Sequence, residues 1–472
     1  MPTHDYDLVC IGSGPAGQRA AVQATKVGKR ALIVERDPPV GGACLQTGTI
    51  PSKSLREAVQ AITAENAGRG LVPHAAPVPT TGELRSRVAE VIEAEARVQV
   101  EQLRRNRVAM HIGTASFVDE HTLEIAAPES TTRVSADNIL IAVGSRPARP
   151  DGIEIDGRTV LVSDDLLDLE SQPQRIVVIG GGVIGLELAS MFATLGAKVT
   201  VVDQRERLLE FLDDEISDEL ISQLRHQRVT FRLGERVERV TTVTEPHPQG
   251  LVELESGKSI VEDMVLFSAG REANTDSLNL GAIGVGTDTH GRITVDDAYR
   301  TTTPNVYAAG DVLGFPALAS TSAEQGRLAA CHMFGVASRP MADRFPIGIY
   351  SIPEISMIGA NEAELTSDRI PYETGVARYS ELVRGQLLND EKGLVKMLFH
   401  RDTGRLLGVH IIGSGATELL HVGQAVFILG GGLDYFLENV FNYPTLAEAY
   451  KVAALDAANK LQAVARFRER SV

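Results

Sequence analysis

Two glycine runs carry the first recognisable chemistry in this sequence. Gly12-x-Gly14-x-x-Gly17 follows the apolar run Asp7-Leu8-Val9-Cys10-Ile11, and Gly180-x-Gly182-x-x-Gly185 follows Arg175-Ile176-Val177-Val178-Ile179. In such a run the first glycine makes a tight strand-to-helix turn. The second lets backbone approach a pyrophosphate, and the third lets helix pack on strand. The helix behind offers unpaired N–H groups and a partial positive charge to the phosphates. An acid ends the next strand in each copy, Glu35 and Asp203, at the same distance from its first glycine. There it can bond a ribose hydroxyl. One constant offset relates all three glycines and the acid, which marks an internal duplication. Each copy also closes alike, Ile139-Leu140-Ile141-Ala142-Val143-Gly144 against Val265-Leu266-Phe267-Ser268-Ala269-Gly270. Two dinucleotide sites are expected. Beyond Asp203 stand Arg205 and Arg207, suited to pairing with a 2′-phosphate through charge-assisted bonds. An acid and arginines side by side suit a site that accepts both NAD(H) and NADP(H). Which of them dominates the choice stays open at this level.

The elements that must position these residues follow from length and pattern. The chain has 472 residues, too many for one core, so two to four domains are expected. A hydrophobic fraction of 43% and a charged fraction of 23% are those of an ordinary globular protein. The net charge of −16 argues against nucleic acid as a main partner, since a backbone-binding protein needs a basic face. Three cysteines, Cys10, Cys44 and Cys331, are too few for a secreted disulfide framework, and no Cys/His cluster suggests a metal. Cys10 and Cys331 read as core. A strand-like run begins at Asp7 almost at once, so no signal peptide is expected. The apolar stretch from Ile176 to Leu186 is broken by Glu187 and too short to span a bilayer. A cytoplasmic enzyme that acts without a membrane is the expectation. A helix is predicted over about Thr81 to Asn106, an alternating strand over Gly393 to Phe399, and helices from Gly415 onward. The basic run Arg466 to Arg470 reads as a solvated tail.

The segment Gly41-Gly42-Ala43-Cys44-Leu45-Gln46-Thr47-Gly48-Thr49-Ile50-Pro51-Ser52-Lys53 resembles the active-site segment of the pyridine nucleotide–disulfide oxidoreductases, such as lipoamide dehydrogenase, glutathione reductase and mercuric reductase. Those enzymes carry two cysteines here, separated by four residues. This chain keeps Cys44 and has Thr49 at the second position. A hydroxyl forms no disulfide and supplies no stabilised thiolate. The resemblance places FAD on the N-terminal glycine run with Glu35 on its ribose. Thr303-Pro304-Asn305-Val306-Tyr307-Ala308-Ala309-Gly310-Asp311 is similar to the family's second FAD motif, whose aspartate, here Asp311, accepts from a ribityl hydroxyl. Lys53 matches the lysine that reaches the flavin ring, and Glu187 the glutamate that pairs with it. Cys44 is read as a cofactor-side residue without a catalytic role. At Phe441-Asn442-Tyr443-Pro444-Thr445-Leu446-Ala447-Glu448 the disulfide reductases carry His-Pro-Thr and then Glu, the acid–base dyad for their thiols. Tyr443 stands at the histidine position, and tyrosine titrates near pH 10, too high to shuttle protons at neutral pH. Glu448 is retained, and without its histidine it is read as a structural hydrogen-bond acceptor.

Two thiol-specific parts are thus missing together. The combination is similar to the soluble, flavin-containing, Si-specific pyridine nucleotide transhydrogenases, also in Gly348-Ile349-Tyr350-Ser351-Ile352-Pro353-Glu354-Ile355. The implied fold is α/β, with two Rossmann-like dinucleotide-binding domains, for FAD and NAD(P), and a C-terminal α+β dimerisation domain. The expected segments are 1–150 and 276–344 for FAD, 151–275 for NAD(P), and 345–472 for the interface. The implied reaction is ping-pong hydride transfer between NADPH and NAD⁺ through the flavin, in a homodimer or larger homo-oligomer. An NAD(P)H-dependent quinone or dye reductase on the same fold is the alternative. A lipoamide dehydrogenase is disfavoured by the missing cysteine, and a flavin-binding sensor by the retained Lys53 and Glu187.

Overall fold

A computed structural model describes residues 4–68, 80–149, 151–169, 171–245 and 247–470. They form two compact units. One holds residues 4–62, 80–172 and 268–341, and the other 63–68, 173–267 and 342–470. The first unit thus takes chain from both sides of the second glycine run. The expected boundary residue 150 lies outside the described residues.

In the first unit, parallel strands Ala109–Ile112, Ala31–Glu35, Tyr6–Ile11 and the end of Ser130–Ile141 lie side by side. Side chains alternate between the two faces of a strand. Val9 and Ile11 accordingly join Leu32, Val34, Phe117 and Leu123 in one core, while Leu8 and Cys10 join Ile33 and Ala20 in the other. The twelve-residue strand Ser130–Ile141 serves two partners. Its exposed first half pairs antiparallel with Thr122–Ala127. Its buried last residues run parallel to Tyr6–Ile11 on one side and to Val306–Ala308 on the other. The helix Pro15–Lys26 packs on Ala319–Met333. That contact requires Gly326, where a Cβ would lie 2.1 Å from the Ala16 carbonyl oxygen. The predicted charged helix is Thr81–Arg105, opened by a reciprocal cap between Thr80 and Glu83.

In the second unit, Thr230–Leu233, Lys198–Asp203, Arg175–Ile179 and Met264–Phe267 run parallel in that order. The helices Val183–Thr194 and Asp214–His226 follow Arg175–Ile179 and Lys198–Asp203 along the chain. The C-terminal part is an antiparallel sheet in the order Ile347–Ile349, Ile355–Gly359, Leu406–Ile412, Leu394–His400, Tyr372–Arg378. The closing helix Glu448–Arg470 lies on it. Two expectations need correction. Leu394–His400 does not alternate inside and outside: six of its residues are buried, because Asp214–His226 covers the neighbouring strand from the face opposite the closing helix. Residues 466–470, expected as a solvated tail, are the helical end of Glu448–Arg470. Val440, 97% exposed, and Leu429, 85% exposed, present apolar surface on this C-terminal part. Among the described residues no helix is long and apolar enough to cross a membrane.

Candidate cofactor and coenzyme sites

The two glycine loops have the same build. Gly12 and Gly180 turn the chain with φ of +107° and +103°, a region closed to most side chains. Gly14 and Gly182 are the N-caps of Pro15–Lys26 and Val183–Thr194. Neither helix has a side-chain cap or an acid in its first turn among the described residues. A Cβ on Gly14 or Gly182 would meet nothing described within 4 Å. Uncapped helix N–H groups beside open space fit a pyrophosphate. Gly17 closes its turn so tightly that a Cβ would lie 2.1 Å from the Gly12 carbonyl oxygen, and Gly185 is buried at the equivalent place. Gly144 and Gly270 both turn with positive φ, +65° and +114°, after the matching strands.

The two acids repeat the same backbone pattern. Glu35 accepts from the N–H of Ser13 at 3.0 Å and of Asp37 at 2.9 Å, and from the Ser13 hydroxyl. Asp203 accepts from the N–H of Gly181 at 2.7 Å and of Arg205 at 2.8 Å. The second copy then adds a charge. The Arg205 guanidinium donates to both Asp203 oxygens, at 2.9 and 2.7 Å. Each carboxylate oxygen thereby accepts two bonds. Burial would raise the Asp203 pKa, but the Arg205 side chain and the two N–H groups outweigh it and hold the carboxyl below its usual range. Arg207 pairs with Asp214 at 2.6 Å on the surface. Both arginines thus rest on acids within their own unit.

On the flavin side, Cys44 sits in the short helix Gly42–Gln46 and Thr49 opens Thr49–Gly68. The Thr49 side chain lies beside the Cys44 thiol. Burial pushes the Cys44 thiol up, Asp311 and Glu95 push it further, and the Thr49 hydroxyl and Lys53 offset this only in part. Cys44 is therefore a protonated thiol at neutral pH, the opposite of a nucleophilic cysteine. The same electrostatic contacts place Cys44, Lys53 and Asp311 in one neighbourhood. Asp311 follows Gly310 (φ +85°) and accepts from Ser145 Oγ at 3.3 Å and Ser322 Oγ at 3.4 Å. Arg271 fixes Ser145 through the hydroxyl at 2.9 Å and the carbonyl at 2.7 Å. Ser13, Ser145 and Arg271 carry no motif of their own; only Ser13, as the variable residue inside the first glycine run, could have been suspected.

In the second unit Glu187 is 4% exposed and accepts from the Tyr350 N–H at 2.8 Å. Ser190 Oγ, one turn on, accepts from the Ile352 N–H at 3.0 Å. The Gly348–Ile355 segment is thereby seated on the helix of the second glycine loop. Tyr443 is 67% exposed. Glu448 Oε2 is enclosed and accepts no hydrogen bond among the described residues.

Two family models match the chain. Pyridine nucleotide-disulphide oxidoreductase covers residues 6–326, and the dimerisation domain of the same family covers residues 345–454. The chain is 50% identical to a soluble pyridine nucleotide transhydrogenase of Mycobacterium bovis, over 98% of this chain and 99% of the relative. It is 44% identical to one of Pseudomonas aeruginosa, over 98% of this chain and 100% of the relative. Among solved structures it is similar to the HOCl-induced flavoprotein disulfide reductase RclA from Escherichia coli. That match has a TM-score of 0.86 at 25% identity, covering 95% of this chain and 99% of the other.

Proposed function

The chain belongs to the pyridine nucleotide-disulphide oxidoreductase family, and we propose that it catalyses FAD-dependent hydride transfer between NADPH and NAD⁺, without a redox-active disulfide. The observation that carries this reading is the single Cys44 thiol, kept protonated by burial, with Thr49 beside it where a disulfide partner would stand. With one sulfur and no thiolate, a thiol relay has no place to start. Relatives at 50% and 44% identity that bear the transhydrogenase name support it.

When bound, the flavin supplies the redox chemistry, taking a hydride equivalent from one nicotinamide and returning it to the other. The chain's own residues bind and orient. The first glycine loop (Gly12, Gly14, Gly17) holds the FAD pyrophosphate, Glu35 the adenosine ribose and Asp311 the ribityl chain, with Cys44 and Gly144 lining the cofactor. The second loop (Gly180, Gly182, Gly185) holds the coenzyme pyrophosphate, with Asp203 for a ribose hydroxyl, Arg205 and Arg207 for a 2′-phosphate, and Gly270 beyond. Lys53 and Glu187 are the charged groups that act on the flavin electronics. A double-mutant cycle on Lys53→Met and Glu187→Gln tests whether they act together: coupling supports joint action, and additive losses remove it. The functional protein is a homodimer built on residues 345–472, in the cytoplasm, with 1–150 and 276–344 as the flavin domain and 151–275 as the coenzyme domain. Transfer is Si-specific: pro-S deuterated NADPH loses its label to give unlabelled NADP⁺, and retention of the label would refute this.

Anaerobic titration tests the whole reading. NADPH should bleach the flavin without a long-wavelength thiolate charge-transfer band. NAD⁺ should then restore the flavin as NADH forms. Recovery with quinones or dyes but not NAD⁺ would make the protein a reductase instead.

A further inference from the structure

A lysine sits fully inside the C-terminal sheet, where a charge is costly. Lys396, 2% exposed, lies in the strand Leu394–His400. Its ammonium donates to Asp213 at 2.8 Å, lies 3.1 Å from Glu215, and bonds Glu362. Asp213 and Glu362 hold it charged against the burial that would neutralise it. Replacing such a buried ion pair by apolar groups often leaves stability unchanged or improved, so stability alone is a poor account of it.

The acid it holds ends a segment with no regular structure. Residues 204–212 run from Asp203 to Asp213, the N-cap of Asp214–His226, and carry Arg205 and Arg207. At its middle, Leu208 packs on the glycine loop itself: a Cβ on Gly181 would lie 2.4 Å from Leu208 Cδ2. Leu209 is held at φ +52°, a strained conformation for leucine that needs external support. The far end is tied down by the C-terminal sheet region. Beside the Lys396 bond, Asn361 Nδ2 donates to the Leu212 carbonyl at 3.3 Å and the Glu362 N–H donates to Asp213 at 3.3 Å.

We infer that Lys396 and Asn361 are positioning residues for coenzyme discrimination, fixing through Asp213 and Leu212 the segment that aims Arg205 and Arg207 at the 2′-phosphate of NADPH. The inference rests on the proposed role of those arginines. It distinguishes the coenzymes because NADH makes no 2′-phosphate contact. Its ribose meets Asp203, which also bonds Arg205 but keeps two anchors outside the segment, the strand Lys198–Asp203 and the Gly181 N–H.

The test uses the full-length FAD-loaded enzyme with a dye acceptor, which reads each coenzyme separately. Lys396→Met removes the ammonium at similar volume. Asn361→Ser keeps a hydroxyl to cap the Glu364 N–H, which Asn361 now caps at 2.8 Å, and drops the tether. The expected result is a KM for NADPH raised about fivefold by Lys396→Met and about threefold by Asn361→Ser, with KM for NADH within about twofold and kcat unchanged for both. In an Arg205→Ala background Lys396→Met should add less than about twofold, because it acts through the arginine. Equal shifts for both coenzymes, or no shift for NADPH in folded Asn361→Ser, would overturn the inference even if Lys396→Met fails to fold. If Arg205→Ala by itself shifts NADPH and NADH equally, the arginine assignment beneath the inference falls with it. If Arg205→Ala is NADPH-selective and the other two variants are not, only the positioning role falls.

Discussion

Removing the Arg205 side chain separates the two coenzymes by a predictable amount. In the structure its guanidinium spans both oxygens of Asp203, yet its side chain is 43% exposed. NADPH must draw that guanidinium from the carboxylate to the 2′-phosphate. A charge-assisted bond of this kind is worth about 1.5–3 kcal/mol. Giving up a half-exposed ion pair costs at most about 1 kcal/mol, because solvent already screens it. The difference, about 0.5–2 kcal/mol, corresponds to a roughly two- to thirtyfold rise in KM for NADPH in Arg205→Ala. NADH behaves differently. Each Asp203 oxygen now accepts two bonds, and loss of the guanidinium frees one place on each for a ribose hydroxyl. KM for NADH should stay level or fall. The pH profile gives an independent check. In the native protein the Asp203 pKa is lowered, so its ion pair and its ribose bond are present above the ordinary carboxylate range and fade only as pH falls through the lowered value. Without Arg205, burial is less opposed, and the acid limb for NADH should move to higher pH. Steady-state kinetics with each coenzyme and a dye acceptor decide the matter. An equal rise in both KM values, or an acid limb that does not move, would refute the reasoning.

Three further perturbations follow from the same geometry. Gly182→Val fills the open space at the second loop without a backbone clash, since its φ of −78° suits valine; FAD content should stay intact while KM rises about tenfold or more for both coenzymes as pyrophosphate contacts are lost. Cys44→Ala should leave turnover within about twofold, because a protonated thiol offers no nucleophile, and alkylation of native Cys44 should accelerate only above the ordinary thiol range, as its raised pKa requires. Thr49→Cys places a second sulfur where the hydroxyl now lies beside the Cys44 thiol; thiol titration should find two fewer reactive groups after oxidation, and a long-wavelength band should appear on NADPH reduction.

The parts legible in the sequence are those encoded locally. Gly12 and Gly180 announce their turns because few other residues tolerate those φ values, and Glu35 and Asp203 are found by their fixed distance from them. Cys44 and Thr49 lie five positions apart, so their meeting across a helix start could be read directly. The parts that stayed hidden depend on distant partners. Lys396 looked like the outward residue of an alternating strand, because nothing near it in sequence reveals the helix Asp214–His226 that covers that face. Arg271 and Ser145, which steady Asp311, lie far apart in the chain and match no motif.

The long strand Ser130–Ile141 also sets an order of assembly during synthesis. Its first half meets Thr122–Ala127 as soon as both leave the ribosome, a local contact that forms early. Its last residues must wait for Val306–Ala308. At the usual elongation rates of about 5–20 residues per second, that gap lasts roughly ten to thirty seconds. During it the whole second glycine-loop domain emerges, and the buried half of the strand keeps one edge unpaired. An unpaired apolar edge is a template for wrong partners. The guest domain can thus complete its sheet before its host does, and the yield of correctly assembled protein becomes sensitive to translation pauses between residues 141 and 306.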